Sequence, residues 1–379
     1  MFNNFLKFIC LVPVCLVLLS VHSYAQDTLA KQALIIDFET ENVLFEKNSD
    51  EQMPTSSMSK VMTMYLVFEA LKSGTIKLDD EFLVGEKAWK KQGSKMFVSV
   101  GDKVKIEDLI RGVIVQSGND ATIVLAEGLA GSEEAFAQAL NEKAKELGMS
   151  SSHFMNASGW PDPEHYSTAH DLAVLAKAII KDFPEYYKYY AEKEFTYNDI
   201  TQQNRNPLIY KDIGADGVKT GHTDDGGYGL IGSGKKNDRR VIMVLNGMES
   251  EKQRKEESVR LMQWALSSFK NMTVFKTMKP LEEADVIMGQ KTKVALVPAQ
   301  STIFTVPSLF RNKLNISVEY TSPLVAPLVK GDRAGEIKIV TPEGEERKID
   351  LLIGEDVPEL GFFLKIIAKA RMLLQEHGG

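Results

Sequence analysis

Two cysteines are all this chain has, and both, Cys10 and Cys15, fall within its first 25 residues. Past that point no disulfide, zinc-thiolate site or cysteine nucleophile can be built. Aromatic residues are sparse at 8%, the net charge is −7, and no basic stripe is interleaved with aromatics. A nucleic-acid partner is thereby excluded. A long apolar run is missing too. The N-terminal stretch Phe8 to Leu19 is short for a membrane span, follows the lone charge of Lys7, and precedes the small-x-small site Ser23-Tyr24-Ala25. Residues 1–25 therefore read as a cleaved secretory signal peptide. Its removal takes both cysteines and leaves a net charge of −8. An exported chain without disulfides must rely on a large core, and 379 residues less this leader suit two domains.

What is present is a set of three short strings. Ser57-Met58-Ser59-Lys60 precedes the apolar run Val61 to Phe68, which reads as a buried helix entered through Pro54, Thr55 and Ser56. Ser57 would stand at the helix start, with Lys60 one turn later on the same face. Ser-x-x-Lys recurs at Ser233 and Ser267, but Ser233 precedes a polar turn and Ser267 lies late on a helix beginning near Glu256. Ser117-Gly118-Asn119, sixty residues after Ser57, breaks two apolar stretches as a loop between helices would. Lys219-Thr220-Gly221 opens an alternating segment that turns at Gly226-Gly227 and continues as an antiparallel meander through Leu245. Each string alone has a plain structural reading: an N-cap serine, an Asx-type turn, an edge strand ending at glycine. In this order they describe a serine acylated with the help of a lysine.

With its neighbours, the set resembles the D-alanyl-D-alanine carboxypeptidase family of low-molecular-mass penicillin-binding proteins. Ala33 to Asn48 resembles that family's opening hairpin, and His153 to Gly159 with His165 to Asp171 resembles its central helical segment. Asp216 to Asp224 resembles its strand motif. The resemblance implies an α/β (α+β) serine β-lactamase/transpeptidase-like fold, an antiparallel sheet flanked by helices, over residues 26–272. It implies Ser57 as nucleophile, Lys60 as its base and Ser117 as proton relay. Asn119 would hold a substrate amide, Lys219 would set the pocket's electrostatics, Thr220 and Gly221 would bind substrate beside it, and the backbone N–H groups of Ser57 and His222 would form an oxyanion hole. Arg254, in a charged loop, would meet the substrate's terminal carboxylate, which a guanidinium can grip with two parallel hydrogen bonds. Neither cofactor nor metal is implied.

From about residue 270 strands take over: Lys293 to Val297, Thr302 to Val306, Asn315 to Tyr320, Glu336 to Val340 and Arg347 to Ile353. Turns such as Lys330-Gly331-Asp332 and Pro342-Glu343-Gly344 separate them, as in a small β-sandwich spanning 273–355. The final segment, 356–379, gathers Phe362, Phe363, Ile366, Ile367, Ala370, Leu373 and Leu374 on one helical face, flanked by Lys365, Lys369 and Arg371. Such a helix suits an anionic bilayer surface, and the resemblance implies attachment to the periplasmic face of the bacterial inner membrane. The alternative is a terminal helix docked on the β domain.

The chemistry sets a condition. Lys60 must be neutral to accept a proton, although an ordinary lysine has a pKa of about 10.4. Burial and the positive charge of Lys219 should lower it. The implied substrate is a peptidoglycan stem peptide ending in D-alanyl-D-alanine, with β-lactams as covalent inhibitors. Four other readings share parts of this pattern. A class A β-lactamase needs a Glu-x-x-Leu-Asn stretch that is missing between Asn119 and Lys219, and a class C enzyme needs tyrosine at Ser117. A D,D-endopeptidase would share every catalytic group. A non-catalytic wall-binding protein would not need Ser57, Lys60 and Lys219 intact.

Overall fold

The computed structural model describes residues 26–309, 314–340 and 346–376. The expected leader and the Pro342-Glu343-Gly344 turn lie outside the described residues. Five strands form the main sheet: β1 (Gln32–Asp37), β2 (Val43–Lys47), β3 (Ala215–Thr223), β4 (Gly227–Lys236) and β5 (Arg239–Met248). Their order is β2-β1-β5-β4-β3, with every pairing antiparallel. The expected meander is β3-β4-β5, and Lys219-Thr220-Gly221 lies on the edge strand.

Central strands read as unbroken apolar runs because both faces are covered. Side chains alternate across a strand. Leu34, Ile242 and Val244 enter one core, with the buried residues of helices α1 (Lys60–Lys72), α2 (Ile106–Ile114), α3 (Asn119–Ala130) and α4 (Ala169–Asp182). Ala33, Ile35, Val241, Met243 and Leu245 enter the opposite core, against Leu261, Met262 and Ala265 of α5 (Glu251–Ser268). The expected antiparallel sheet flanked by helices is this architecture.

Helix α5 starts earlier than its apolar periodicity suggested. Ser250 caps it by accepting from the Gln253 N–H at 3.1 Å, so the charged run after it is helix, not loop.

Beyond α5 the chain is β-rich. Strand β6 (Phe269–Phe275) leaves the helix without a turn and pairs with β9 (Thr302–Pro307). Strands β7 (Glu282–Ile287), β8 (Lys293–Pro298), β10 (Asn315–Tyr320), β11 (Leu324–Val325), β12 (Arg333–Val340) and β13 (Glu346–Ile353) form a second sheet, ordered β10-β12-β13-β8-β7-β11. The two sheets share one core of Phe275, Phe304, Leu296, Ile337, Ile339 and Leu351. Strands β6, β7 and β11 went unread in the sequence: β6 had no turn before it, and β7 carries Glu282, Glu283 and Asp285. A terminal helix, α6 (Phe362–Glu376), ends the described chain.

Asp37, at the end of β1, ties the two parts together. It is fully buried and receives Arg239 Nε at 2.7 Å and Asn271 Nδ2, from β6, at 3.0 Å. Thr40 beside it meets Thr305 of β9 at 2.5 Å.

Candidate active site

Ser57 sits on a 3-10 turn, Ser56–Ser59, that runs into α1. The helix behind it is apolar nearly all round, with Val61, Met62, Met64, Val67 and Phe68 buried, and so it runs through the core. Lys60, its first residue, is consequently 1% exposed. Its Nζ has three oxygens in reach: Ser57 Oγ at 2.8 Å, Asn119 Oδ1 at 2.8 Å and the Ser158 carbonyl at 2.6 Å. The Asn119 amide is fixed the right way round because its Nδ2 donates to the Gln92 carbonyl at 2.9 Å. None of the three partners carries a charge. Burial pushes the Lys60 amine down to about 7, with further lowering by the Arg205 guanidinium and opposition from Asp120.

The opposite wall comes from the loop between α2 and α3 and from β3. Ser117 takes a left-handed backbone (φ 59°), and its Oγ accepts from Lys219 Nζ at 3.0 Å. Lys219, 4% exposed, is driven well below the usual lysine range by burial first, then by Lys60, Arg205 and Arg254. The repulsion is seen from one side: Lys60 lowers Lys219, whereas the lowering of Lys60 follows burial, Arg205 and Lys91 in place of the Lys219 charge expected from the sequence. Gly221 is needed for closeness: a Cβ there would stand 2.9 Å from the Thr55 carbonyl, so any side chain would push β3 off the nucleophile turn. Gly159 is tighter still, with φ +74° and the Ser56 carbonyl oxygen 1.8 Å from where a Cβ would be.

These walls enclose a cavity of about 280 Å³ lined by Ser57, Ser117, Thr220, His222, Arg205 and Arg254, among others. Lys60, Asn119 and Lys219 stand behind that lining. All nine residues singled out in the sequence thus meet around one cleft. Arg254 lies on α5 and not in a loop; it is 4% exposed, packs over the Tyr228 ring, and touches Glu251 Oε1 at 3.3 Å. Its Nε has no hydrogen-bond partner among the described residues. The other two Ser-x-x-Lys strings are otherwise engaged: Ser233 Oγ accepts from Arg240 and Ser267 Oγ donates to the Gln263 carbonyl.

Three participants were missed in the sequence. Arg205 sits in a polar stretch with no motif, and the Ser158 carbonyl is backbone, which no side-chain pattern reports. His165 enters the sequence reading only through the family resemblance. Its Nδ1 accepts from the Met155 N–H at 3.2 Å, which leaves Nε2 to donate to Ser59 Oγ at 2.7 Å; Ser59 in turn meets Thr55 Oγ1 at 2.5 Å. Burial lowers the imidazole to about 4, so this neutral chain braces the nucleophile turn from below.

Sheet, cleft and the hydroxyl–amine pair at its floor define a serine acyl-enzyme on a penicillin-binding scaffold. Residues 20–250 match the family described as D-alanyl-D-alanine carboxypeptidase, and residues 269–359 match the C-terminal domain of penicillin-binding protein 5. The chain is 38% identical over 345 residues to the D-alanyl-D-alanine carboxypeptidase DacC of Escherichia coli K12, covering 89% of this chain and 86% of that one. Among solved structures, penicillin-binding protein 5 from Haemophilus influenzae superposes with a TM-score of 0.78 at 35% identity, covering 88% of this chain and 99% of that one. The ampicillin-bound penicillin-binding protein D2 of Listeria monocytogenes gives 0.58 at 28% identity, covering 63% and 98%. The chain belongs to the D-alanyl-D-alanine carboxypeptidase family, and it is a serine peptidase of that family.

Proposed function

We propose that this chain removes the terminal D-alanine from peptidoglycan stem peptides through an acyl-enzyme on Ser57. The observation that carries this reading is the count of partners at Lys60. A neutral amine has two N–H bonds and one lone pair. Asn119 Oδ1 and the Ser158 carbonyl can only accept, so they take both N–H bonds. The lone pair is left facing the Ser57 hydroxyl, 2.8 Å away. Once neutral, Lys60 is aimed as a base at one proton.

Ser57 Oγ then attacks the penultimate carbonyl carbon as its proton passes to Lys60. The resulting oxyanion lies against the backbone N–H groups of Ser57 and His222, a kind of contact worth about 3 kcal/mol per donor. The scissile C–N bond breaks, and the leaving amine takes a proton through Ser117, beside Lys219. Its carboxylate rests on Arg254, with Arg205 adding positive charge across the cleft. Water attacks the ester, releasing the shortened peptide and restoring the hydroxyl. A β-lactam amide would acylate Ser57 by the same route, which agrees with the ampicillin complex of the Listeria relative. Ser57→Ala should abolish labelling by a fluorescent penicillin together with D-alanine release from a pentapeptide. Persistence of either would overturn the assignment.

Export to the periplasm and peripheral attachment to the inner membrane through residues 356–379 belong to the same proposal. Phe362, Phe363, Ile366 and Ile367 are each more than half exposed on α6, which favours a lipid surface over docking on the β-rich part. No helix among the described residues is long and apolar enough to cross a membrane. A chain ending at Glu355 should stay in the supernatant when vesicles of anionic lipid are pelleted; co-sedimentation would refute the anchor.

A further inference from the structure

Among the described residues that line the catalytic cavity, one is an acid. Glu251 stands there with Arg205 and Arg254, and none of the steps above employs it. Ser250 caps α5, so Glu251 opens the helix and Arg254 follows one turn later on the same face. Glu251 Oε1 consequently meets Arg254 Nη2 at 3.3 Å.

This grip is loose. The Arg254 side chain is 5% exposed, whereas that of Glu251 is 73% exposed. Arg254 is seated over the Tyr228 ring, its guanidinium carbon 5.5 Å from the centroid, and its Nε has no hydrogen-bond partner among the described residues. A buried guanidinium fork is thus met by one long contact from a side chain that stands mostly in water. Arg205 is held by another group, donating from Nη1 to Ser94 Oγ at 2.7 Å. Glu251 opposes the lowering that burial imposes on both guanidiniums, so its charge is felt on both sides of the cleft.

We propose that Glu251 is a built-in competitor for the substrate's terminal carboxylate: it occupies Arg254 in the free enzyme, swings into solvent when substrate arrives, and returns as D-alanine leaves. The inference rests on the carboxypeptidase reading, in which Arg254 receives that carboxylate. A substrate carboxylate can make two parallel hydrogen bonds where Glu251 makes one, so the exchange runs forward. Its gain is the difference between two ion pairs, however, and not the whole of one. Ground state and transition state are weakened alike, which raises KM and leaves kcat where it is. The same exchange keeps the released D-alanine from lingering on Arg254. A first-turn acid also favours the helix dipole, but that role alone predicts no effect on carboxylate recognition.

Glu251→Gln keeps the shape and removes the charge. In the full chain it should raise kcat/KM for D-alanine release from Nα,Nε-diacetyl-L-lysyl-D-alanyl-D-alanine about fivefold, through a lower KM, the upper range for an exposed ion pair. Benzylpenicillin and its methyl ester give a second readout. The penicillin carboxylate, like the peptide's, sits one carbon from the nitrogen of the broken amide. The ratio of their acylation rates at Ser57 is independent of how much of the variant is folded, and it should shift about fivefold toward the free acid. An unchanged KM or an unchanged ratio would overturn the competitor role. A shift toward the ester would overturn it too, and would make Glu251 a residue that holds Arg254 in place. Absence of D-alanine release from the unmodified chain would overturn the carboxypeptidase reading, while the penicillin pair would still decide the role of Glu251.

Discussion

Lys60 and Lys348 are the same residue in two regions, and they behave in opposite ways. Lys348 stands on β13, 57% exposed, within 2.9 Å of Glu336 and 4.0 Å of Glu346. Glu336 raises its amine above the usual lysine range. Lys60 has more hydrogen-bond partners, yet it is pushed down to about 7. The number of partners therefore does not set basicity. Their charge and the supply of water do: uncharged oxygens in a dry site satisfy either protonation state, whereas burial penalises only the charged one. The β-rich part keeps its charges in solvent and paired. The catalytic part buries three basic side chains, Lys60, Lys219 and Arg254, around one cleft, with Arg205 exposed at its rim.

The largest way to break this contrast is to make the buried charge permanent. A guanidinium cannot lose its proton at any working pH. Lys60→Arg should lower the rate of acylation by penicillin by about a hundred- to ten-thousandfold, the usual span for losing a general base. The pH profile sharpens the same point. Because the amine sits near 7, the neutral, reactive form prevails above that pH, and kcat/KM should fall tenfold per unit as the pH drops below about 6. A profile flat from pH 5 to 8 would mean that Lys60 is not the titrating base.

Most of the site was legible because short-range rules cover it. Ser57 and Lys60 are one turn apart, Ser117 and Asn119 bracket a glycine before α3, and Lys219 to Gly221 sit on a strand whose alternation is plain. What stayed hidden depends on tertiary approach. The Ser158 carbonyl reaches Lys60 only because Gly159 lets its loop lie against Ser56. Arg205 matters through its charge in a cleft assembled from distant segments. Arg254 looked like a loop residue because the first turns of α5 have no apolar stripe, although Arg254, Glu257 and Ser258 are buried there. In the β-rich part, strands with clean alternation were found and the acidic β7 was not.

Between the two regions stands Asp37, where buried charge is fully paired. Asp37→Ala would leave Arg239 buried without its carboxylate, and its Nη2 already has no partner among the described residues. Breaking such a pair from one side costs about 3–5 kcal/mol. Thermal unfolding should show the loss as a lower midpoint, with the acylation rate per folded molecule affected far less, since Asp37 does not line the cleft.

The smallest effect is expected at Lys348 itself. Its ion pairs lie in solvent, where screening and side-chain freedom cancel most of the attraction. Lys348→Ala should leave both the melting midpoint and the acylation rate where they are, at low and at high salt. A clear loss of stability there, growing as salt is withdrawn, would mean that the charges along β12 and β13 act as a network. Lys338 and Lys348, which both approach Glu346, would then be bound into one ladder, and the contrast with Lys60 would rest on charge pairing more than on solvent.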